Sequence, residues 1–331
     1  MLRKINLDGF LVSLILVVVA AVIWPEPGAT GSPLHIEWIS TYGISIVFFL
    51  YGLTLAPERM RAGFAKWHVH IVVQLGTFVL FPIVVLGLEF FTAPYVPAEV
   101  SLGFFYLAAL PGTVSSAVAM TSLARGNVPV SIFNATVSSF LGVFLTPLLM
   151  AWYMKATGQS LPLGTVILKI VLLVLVPIGL GQIAHHWLQH WAARNSAWLK
   201  LIDRAVIIAI VYNSFCDSII AGIWSDNDVL LLVEMVVASI ALFYLIYGLM
   251  KLVCRFFGFD REDTIACLFC SSKKSLATGV PLANVMFGAT PALGLIIAPL
   301  MIFHFFQLVI VSFIANRYAN DGAAIAGPAK G

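Results

Sequence analysis

The sequence predicts an all-α polytopic membrane protein with ten transmembrane helices arranged as two inverted five-helix repeats. Three observations carry that reading. The chain of 331 residues is 61% hydrophobic and only 10% charged, whereas a soluble globular protein carries about 25% charged residues. Apolar stretches of membrane-crossing length, about 17–25 residues, recur from end to end, divided by polar or Pro/Gly punctuation. Lysine and arginine collect in alternate connections, as the positive-inside rule requires. The net charge of +3 is too small to imply a nucleic-acid partner.

The first segment, 8–24, follows Arg3 and Lys4 and resembles a secretory leader. However, Asp8 interrupts the basic region and no small-x-small cleavage site precedes Trp24-Pro25, so it reads as the first transmembrane helix. The segments after it are 38–56, 69–91, 102–124, 129–153, 162–184, 200–223, 228–253, 263–287 and 291–316. With the N-terminus inside, the inner connections hold Arg3, Lys4, Arg59, Arg61, Lys66, Arg125, Arg194, Lys200, Arg204, Lys251, Arg255, Arg261, Arg317 and Lys330. Lys155 and Lys169 flank one outer loop, while the outer connections 25–37, 92–99 and 224–227 contain neither lysine nor arginine. Both termini are therefore expected in the cytoplasm. Residues 1–154 make the first repeat, 155–319 the second, and 320–331 a short, irregular tail. An odd number of spans per repeat inverts the second relative to the first, a plan common to secondary transporters.

The fourth and ninth spans then correspond, and both are interrupted. The fourth contains Leu110-Pro111-Gly112-Thr113-Val114-Ser115-Ser116, a helix breaker followed by hydroxyls. The ninth contains Cys270-Ser271-Ser272-Lys273-Lys274-Ser275-Leu276-Ala277-Thr278-Gly279-Val280-Pro281. Aligning Ser115 with Lys274 also pairs Ser116 with Ser275, Leu123 with Leu282 and Ala124 with Ala283. Interrupted spans at matching positions are the best sequence pointer to a transport site.

Lys273 and Lys274 are the strongest chemical feature. A charge at mid-bilayer costs roughly 2.5–3.5 kcal/mol on insertion scales. Broken polar backbone at that depth is tolerated where it is buried in protein or lines a wet cavity. The alternative is a lysine pair snorkelling from a helix end, but roughly ten or more residues separate the pair from either end of its segment. Half-helix N-termini favour anions, and free carbonyls favour cations. With the neutral oxygens of Thr113, Ser115, Ser116, Ser271, Ser272, Ser275 and Thr278, the lysines point to a small anionic substrate. Two further readings stay open. One lysine could stand where a transported sodium ion would sit, or a buried lysine could release a proton and couple transport to it.

Other intramembrane polar residues join the candidate set. Gln74 lies in the third span, and Asn134 and Ser138 share a face of the fifth. Asp217 is the one acid well inside a span, able to pair with a lysine or carry a proton. His304 lies one turn before Gln307 in the tenth. Each also has a plainer reading as interhelical hydrogen-bonding glue. Cys267-x-x-Cys270 has metal or redox spacing but no second pair, so it reads as packing. No His-Glu-x-x-His, Gly-x-Ser-x-Gly or paired acids suggest an enzyme, and no cofactor or metal is implied.

Pro111 to Ser116, then Leu123-Ala124-Arg125-Gly126-Asn127-Val128 and Thr146-Pro147-Leu148-Leu149, resemble the fourth and fifth helices of the bile acid:sodium symporter family. Gln74 with Pro82 resembles its third helix. Ser272 to Pro281, together with Phe215-Cys216-Asp217, is similar to the branch of the seventh human paralogue and its bacterial relatives. The resemblance spans essentially the whole chain. It implies a core domain of helices three to five and eight to ten, a panel domain of helices one, two, six and seven, and crossing helices four and nine. It also implies substrate binding between the domains, alternating access by rocking, and a bacterial inner membrane location. In sodium-coupled members a Ser-Asn pair in helix four, a Gln in helix three and a Glu with Gln-Asn in helix nine bind sodium. Here Gln74 fits, Ser115 and Ser116 occupy the helix-four region without the Asn, and Lys273-Lys274-Ser275 stands near the Gln-Asn position without the acid. Cations beside a sodium site cost several kcal/mol at low effective dielectric, which argues against two-sodium coupling. The expected function is secondary transport of a small organic anion, with Lys274→Ala lowering transport while the fold survives. The second reading is a regulatory membrane protein that kept the fold without flux, since eukaryotic members of the branch are linked to cellular calcium regulation.

Overall fold

The computed structural model describes residues 9–54, 66–92, 94–158, 168–221, 229–288 and 290–326, the side chains of 11, 40 and 322–326 excepted. Arg3, Lys4, Arg59, Arg61 and Lys330 of the orientation argument, the connection 224–227 and the tail residues 327–331 lie outside the described residues. The helices are α1 (Gly9–Ile23), α2 (Ile36–Thr54), α3 (Trp67–Thr92), α4 (Ala98–Ala109), α5 (Ser115–Leu123), α6 (Val128–Ala156), α7 (Leu168–Arg194), α8 (Ser196–Ile220), α9 (Val229–Phe256), α10 (Arg261–Ser271), α11 (Leu276–Phe287) and α12 (Leu293–Ala326). No strand occurs among the described residues. Six of these helices are long and apolar enough to cross a membrane, namely α2, α3, α6, α7, α9 and α12. The protein is an integral membrane protein. Residues 320–326 continue α12 and are not irregular as the sequence suggested.

The segment read as 102–124 is two helices, α4 and α5, and the segment read as 263–287 is likewise α10 and α11. α4 stops at Ala109 because Pro111 supplies no N–H and pushes Leu110 out of helical geometry, to ψ 154°. α6 starts where Asn127 caps it, its side chain accepting from Val130 N, with Pro129 in the first turn. α10 starts in the same way, with the Asp260 carboxylate accepting from Asp263 N at 2.7 Å.

Close contacts divide the chain into two units. The first comprises Met1–Leu55, Gln159–Leu231 and Gly279–Ala298. Within it, α7 lies along α2, with Gln182 donating to Gly52 O and His185 Nδ1 2.7 Å from Leu53 O. α8 anchors the connection that follows α1. Asp217 accepts from Thr30 N and from Thr30 Oγ1, both at 2.7 Å, and Asn213 donates to Gly28 O at 2.9 Å.

The second unit comprises Ala56–Gly158, Leu232–Thr278 and Pro299–Gly331. At the start of α3, Lys66 Nζ donates to Asp263 at 2.6 Å and approaches Asp260 at 3.5 Å. The other Asp263 oxygen accepts from Asn127 Nδ2 at 2.7 Å. The turn before α6 is thereby tied to the first turn of α10. Asp263, by its hydrogen bond and then its charge, holds the Lys66 ammonium above the usual lysine pKa. Toward the end of α3, Glu89 accepts from the Tyr153 hydroxyl, and Tyr153 stacks on Phe105 at 4.1 Å.

Candidate functional site

The breaks in α4/α5 and α10/α11 touch within the second unit. Ser275 N donates to Pro111 O at 2.9 Å, a backbone-to-backbone bond between them. Gly112 permits the approach, since a Cβ there would lie 2.7 Å from Cys270 O. Gly142 likewise lets α6 close onto Pro111, whose ring a Cβ would meet at 2.6 Å.

Lys274 is fully buried. Its ammonium donates to Thr77 O at 2.9 Å, Ala108 O at 2.7 Å and Leu110 O at 2.8 Å, and lies 4.2 Å from the centroid of the Phe81 ring. The helix breaks and one unusual turn leave these carbonyls free. In α3 the turn Gly76–Leu80 is π-helical, so Phe81 N–H returns to Gly76 O. The next backbone nitrogen belongs to Pro82, which has no hydrogen, so Thr77 O lacks a helical donor. Gly112 N–H would have returned to Ala108 O in a continuous helix, but it donates to Ser138 Oγ at 3.0 Å. Three acceptors match the three donors of a protonated amine.

Gln307, fully buried on α12, fixes the broken strand of backbone that carries Lys274. Its Oε1 accepts from Lys274 N at 2.7 Å, and its Nε2 donates to Lys274 O at 2.8 Å. Gln307 Nε2 also lies 2.7 Å from His304 Nδ1, and the same ring nitrogen lies 3.2 Å from Lys274 O. His304 therefore meets the backbone of Lys274 directly as well as beside Gln307.

Lys273 is equally buried but differently served. Its Nζ donates to Ser116 Oγ at 2.7 Å, and Ser116 donates in turn to Thr113 Oγ1 at 2.9 Å. Among the described residues the ion pairs are His35–Glu37, Lys66–Asp260 and Lys66–Asp263, so neither lysine meets a carboxylate. Hydrogen bonds to a charged group are worth about 1.5–3 kcal/mol each, and taking an ammonium out of water costs several. Three such bonds offset that cost for Lys274. One does not for Lys273.

The remaining candidates divide. Ser271 and Ser272 turn their hydroxyls back to Cys267 O and Leu268 O of their own helix. Ser275 Oγ donates to Thr278 Oγ1 and accepts from Thr278 N, both at 3.2 Å, so the two close the first turn of α11. Ser115 is exposed at the start of α5. Gln74 Nε2 reaches Asn134 O and Oδ1 at 3.2 and 3.3 Å, Asn134 Nδ2 lies 2.9 Å from His70 Nδ1, and Gln74 Oε1 is buried without a partner. Asp217 is the exception: it belongs to the first unit and holds Thr30 there. Sequence reasoning left out Thr77 and Phe81, and named Gln307 only as the neighbour of His304. An amide one turn after His304 in an apolar helix was the available signal for Gln307. Thr77 acts through its carbonyl, which residue identity does not advertise.

Comparison with known proteins adds to this geometry. Residues 8–320 match the SBF-like CPA transporter family. An uncharacterised protein of Pseudomonas aeruginosa is 42% identical over 321 residues, 96% of each chain. YfeH of Escherichia coli K12, which carries the name symporter, is 38% identical over 95% of this chain and 94% of its own. Sodium/bile acid cotransporter 7-B of Xenopus laevis is 31% identical over 95% of this chain and 92% of its own. With the family matched along nearly its whole length and relatives covered end to end, the chain belongs to the SBF-like CPA transporters, relatives of the bile acid:sodium symporters.

Proposed function

We propose that this protein is a secondary active transporter of a small organic anion, working by alternating access, with Lys273 as the residue that meets the anion. One observation carries the reading: the Lys273 amine is fully buried, with a single hydroxyl partner and no carboxylate. A buried cation so poorly compensated is stable when a negative group joins it. Ser116 and Thr113 supply neutral oxygens beside it for an anion's remaining contacts. Ten spans in two inverted repeats, cytoplasmic termini and a bacterial inner membrane location complete the proposal. They rest on the hydropathy pattern and on the family. The relatives named as symporters and cotransporters support coupling to a second solute.

The test is uptake of a panel of radiolabelled small carboxylates and sulfonates into proteoliposomes, with wild type and Lys273→Met. Methionine keeps the length and removes the charge, and replacing a buried ion by an apolar group is often neutral for stability. The expected result is saturable uptake by wild type and its loss in Lys273→Met, with the fold retained. Equal uptake by both proteins sinks the role of Lys273. Anion binding without flux in either protein favours a regulatory protein over a transporter.

A further inference from the structure

We infer that Lys274 is a tethered substitute for a coupling cation: its ammonium fills a monovalent-cation site formed by Thr77 O, Ala108 O, Leu110 O and the Phe81 ring. The inference deepens the proposed transport function and rests on it for flux measurements alone, because cation binding is read separately.

The ligand set is the argument. Three backbone carbonyls converge on one point at 2.7–2.9 Å, with the face of an aromatic ring 4.2 Å away. Carbonyl dipoles and ring faces are the groups that replace the hydration shell of a bare monovalent cation. The protein makes these carbonyls available at a structural cost, through a π-helical turn ahead of Pro82 and a helix broken at Pro111. The backbone on both sides of the ammonium is clamped by Gln307, so the charge is held in place by its own chain. A transporter with such a built-in charge needs no ion from solution at this position. Shortening the side chain should leave a small, dry space lined by unpaired carbonyls, where a dissolved cation of ammonium size binds.

The experiment uses the full-length protein in detergent and in proteoliposomes, with sodium, potassium or bulky choline as the only monovalent cation. Wild type is expected to unfold at the same temperature in all three. Lys274→Ala is expected to gain several degrees, saturably, in sodium or potassium over choline, and any uptake it retains should require the small cation. Lys274→Met fills the space and is expected to show no cation response. Sodium-dependent stabilisation of wild type overturns the inference. So does a Lys274→Ala protein that responds no more than Lys274→Met, or one that fails to fold in sodium while Lys274→Met folds. Failure of uptake in every protein, with the cation response of Lys274→Ala intact, would instead count against the transport reading.

Discussion

Replacing Gln307 by leucine tests the architecture of the site directly. The side chain is fully buried and makes two bonds to the backbone of one residue, accepting from Lys274 N at 2.7 Å and donating to Lys274 O at 2.8 Å. Leucine matches most of the volume and supplies neither group. The Lys274 N–H would then be buried and unsatisfied and its C=O left with the 3.2 Å approach of His304 Nδ1, at about 1–3 kcal/mol each. Removing the buried amide returns part of that cost, which leaves a net loss of about 2–4 kcal/mol. At roughly 2–4 °C per kcal/mol for chains somewhat smaller than this one, the melting temperature should fall by about 5–15 °C. Gln307→Glu should fall between the two proteins, because an ionised carboxylate still accepts from Lys274 N but has nothing to donate to Lys274 O. The assay is intrinsic fluorescence during a thermal ramp of the detergent-solubilised protein. If Gln307→Leu unfolds within about 1 °C of wild type, the clamp on the broken backbone is not what holds this site.

Two further outcomes are expected. Asp217→Ala loses both bonds to Thr30 and should cost roughly 1–3 kcal/mol in thermal stability while leaving anion-induced stabilisation unchanged; a loss of anion binding would return Asp217 to the transport site. For Lys66, whose pKa is held up by Asp263, the stabilisation is fully present below the ordinary lysine value and is lost as pH rises through the raised one. Its side chain is about half exposed, so the effect is small. Melting curves across alkaline pH should show the advantage of wild type over Lys66→Met disappearing at the top of the range, and an advantage that grows with pH would contradict the sign.

Much of the site was legible because charge in an apolar segment is a strong signal. Lys273 and Lys274 stand out from composition alone, and Pro111 and the Ser272–Ser275 stretch mark the two breaks. The different roles of the lysines were not legible. Adjacent residues of one type leave a break in different directions, and only the fold separates a three-carbonyl cage from a single hydroxyl. The bonding of the serines flanking the lysines was not legible for a related reason. A hydroxyl on a helix can satisfy itself on the carbonyl four residues back, as Ser271 and Ser272 do. The partner of Asp217 was not legible, because hydropathy places a residue along a helix but not around it. In the structure it serves the connection after α1.

The π-helical turn of α3 has a consequence for how this chain tolerates change in length. Such a turn accommodates one residue more than an α-helical turn would. Losing a single residue from positions 78–80 would restore ordinary pitch, with Phe81 N–H still returning to Gly76 O but now as an i→i−4 bond. Pro82 would then stand four residues after Thr77 and has no N–H to give, so Thr77 O would stay open. After such a loss Pro82 alone would keep that carbonyl open for Lys274, which lies almost two hundred positions downstream.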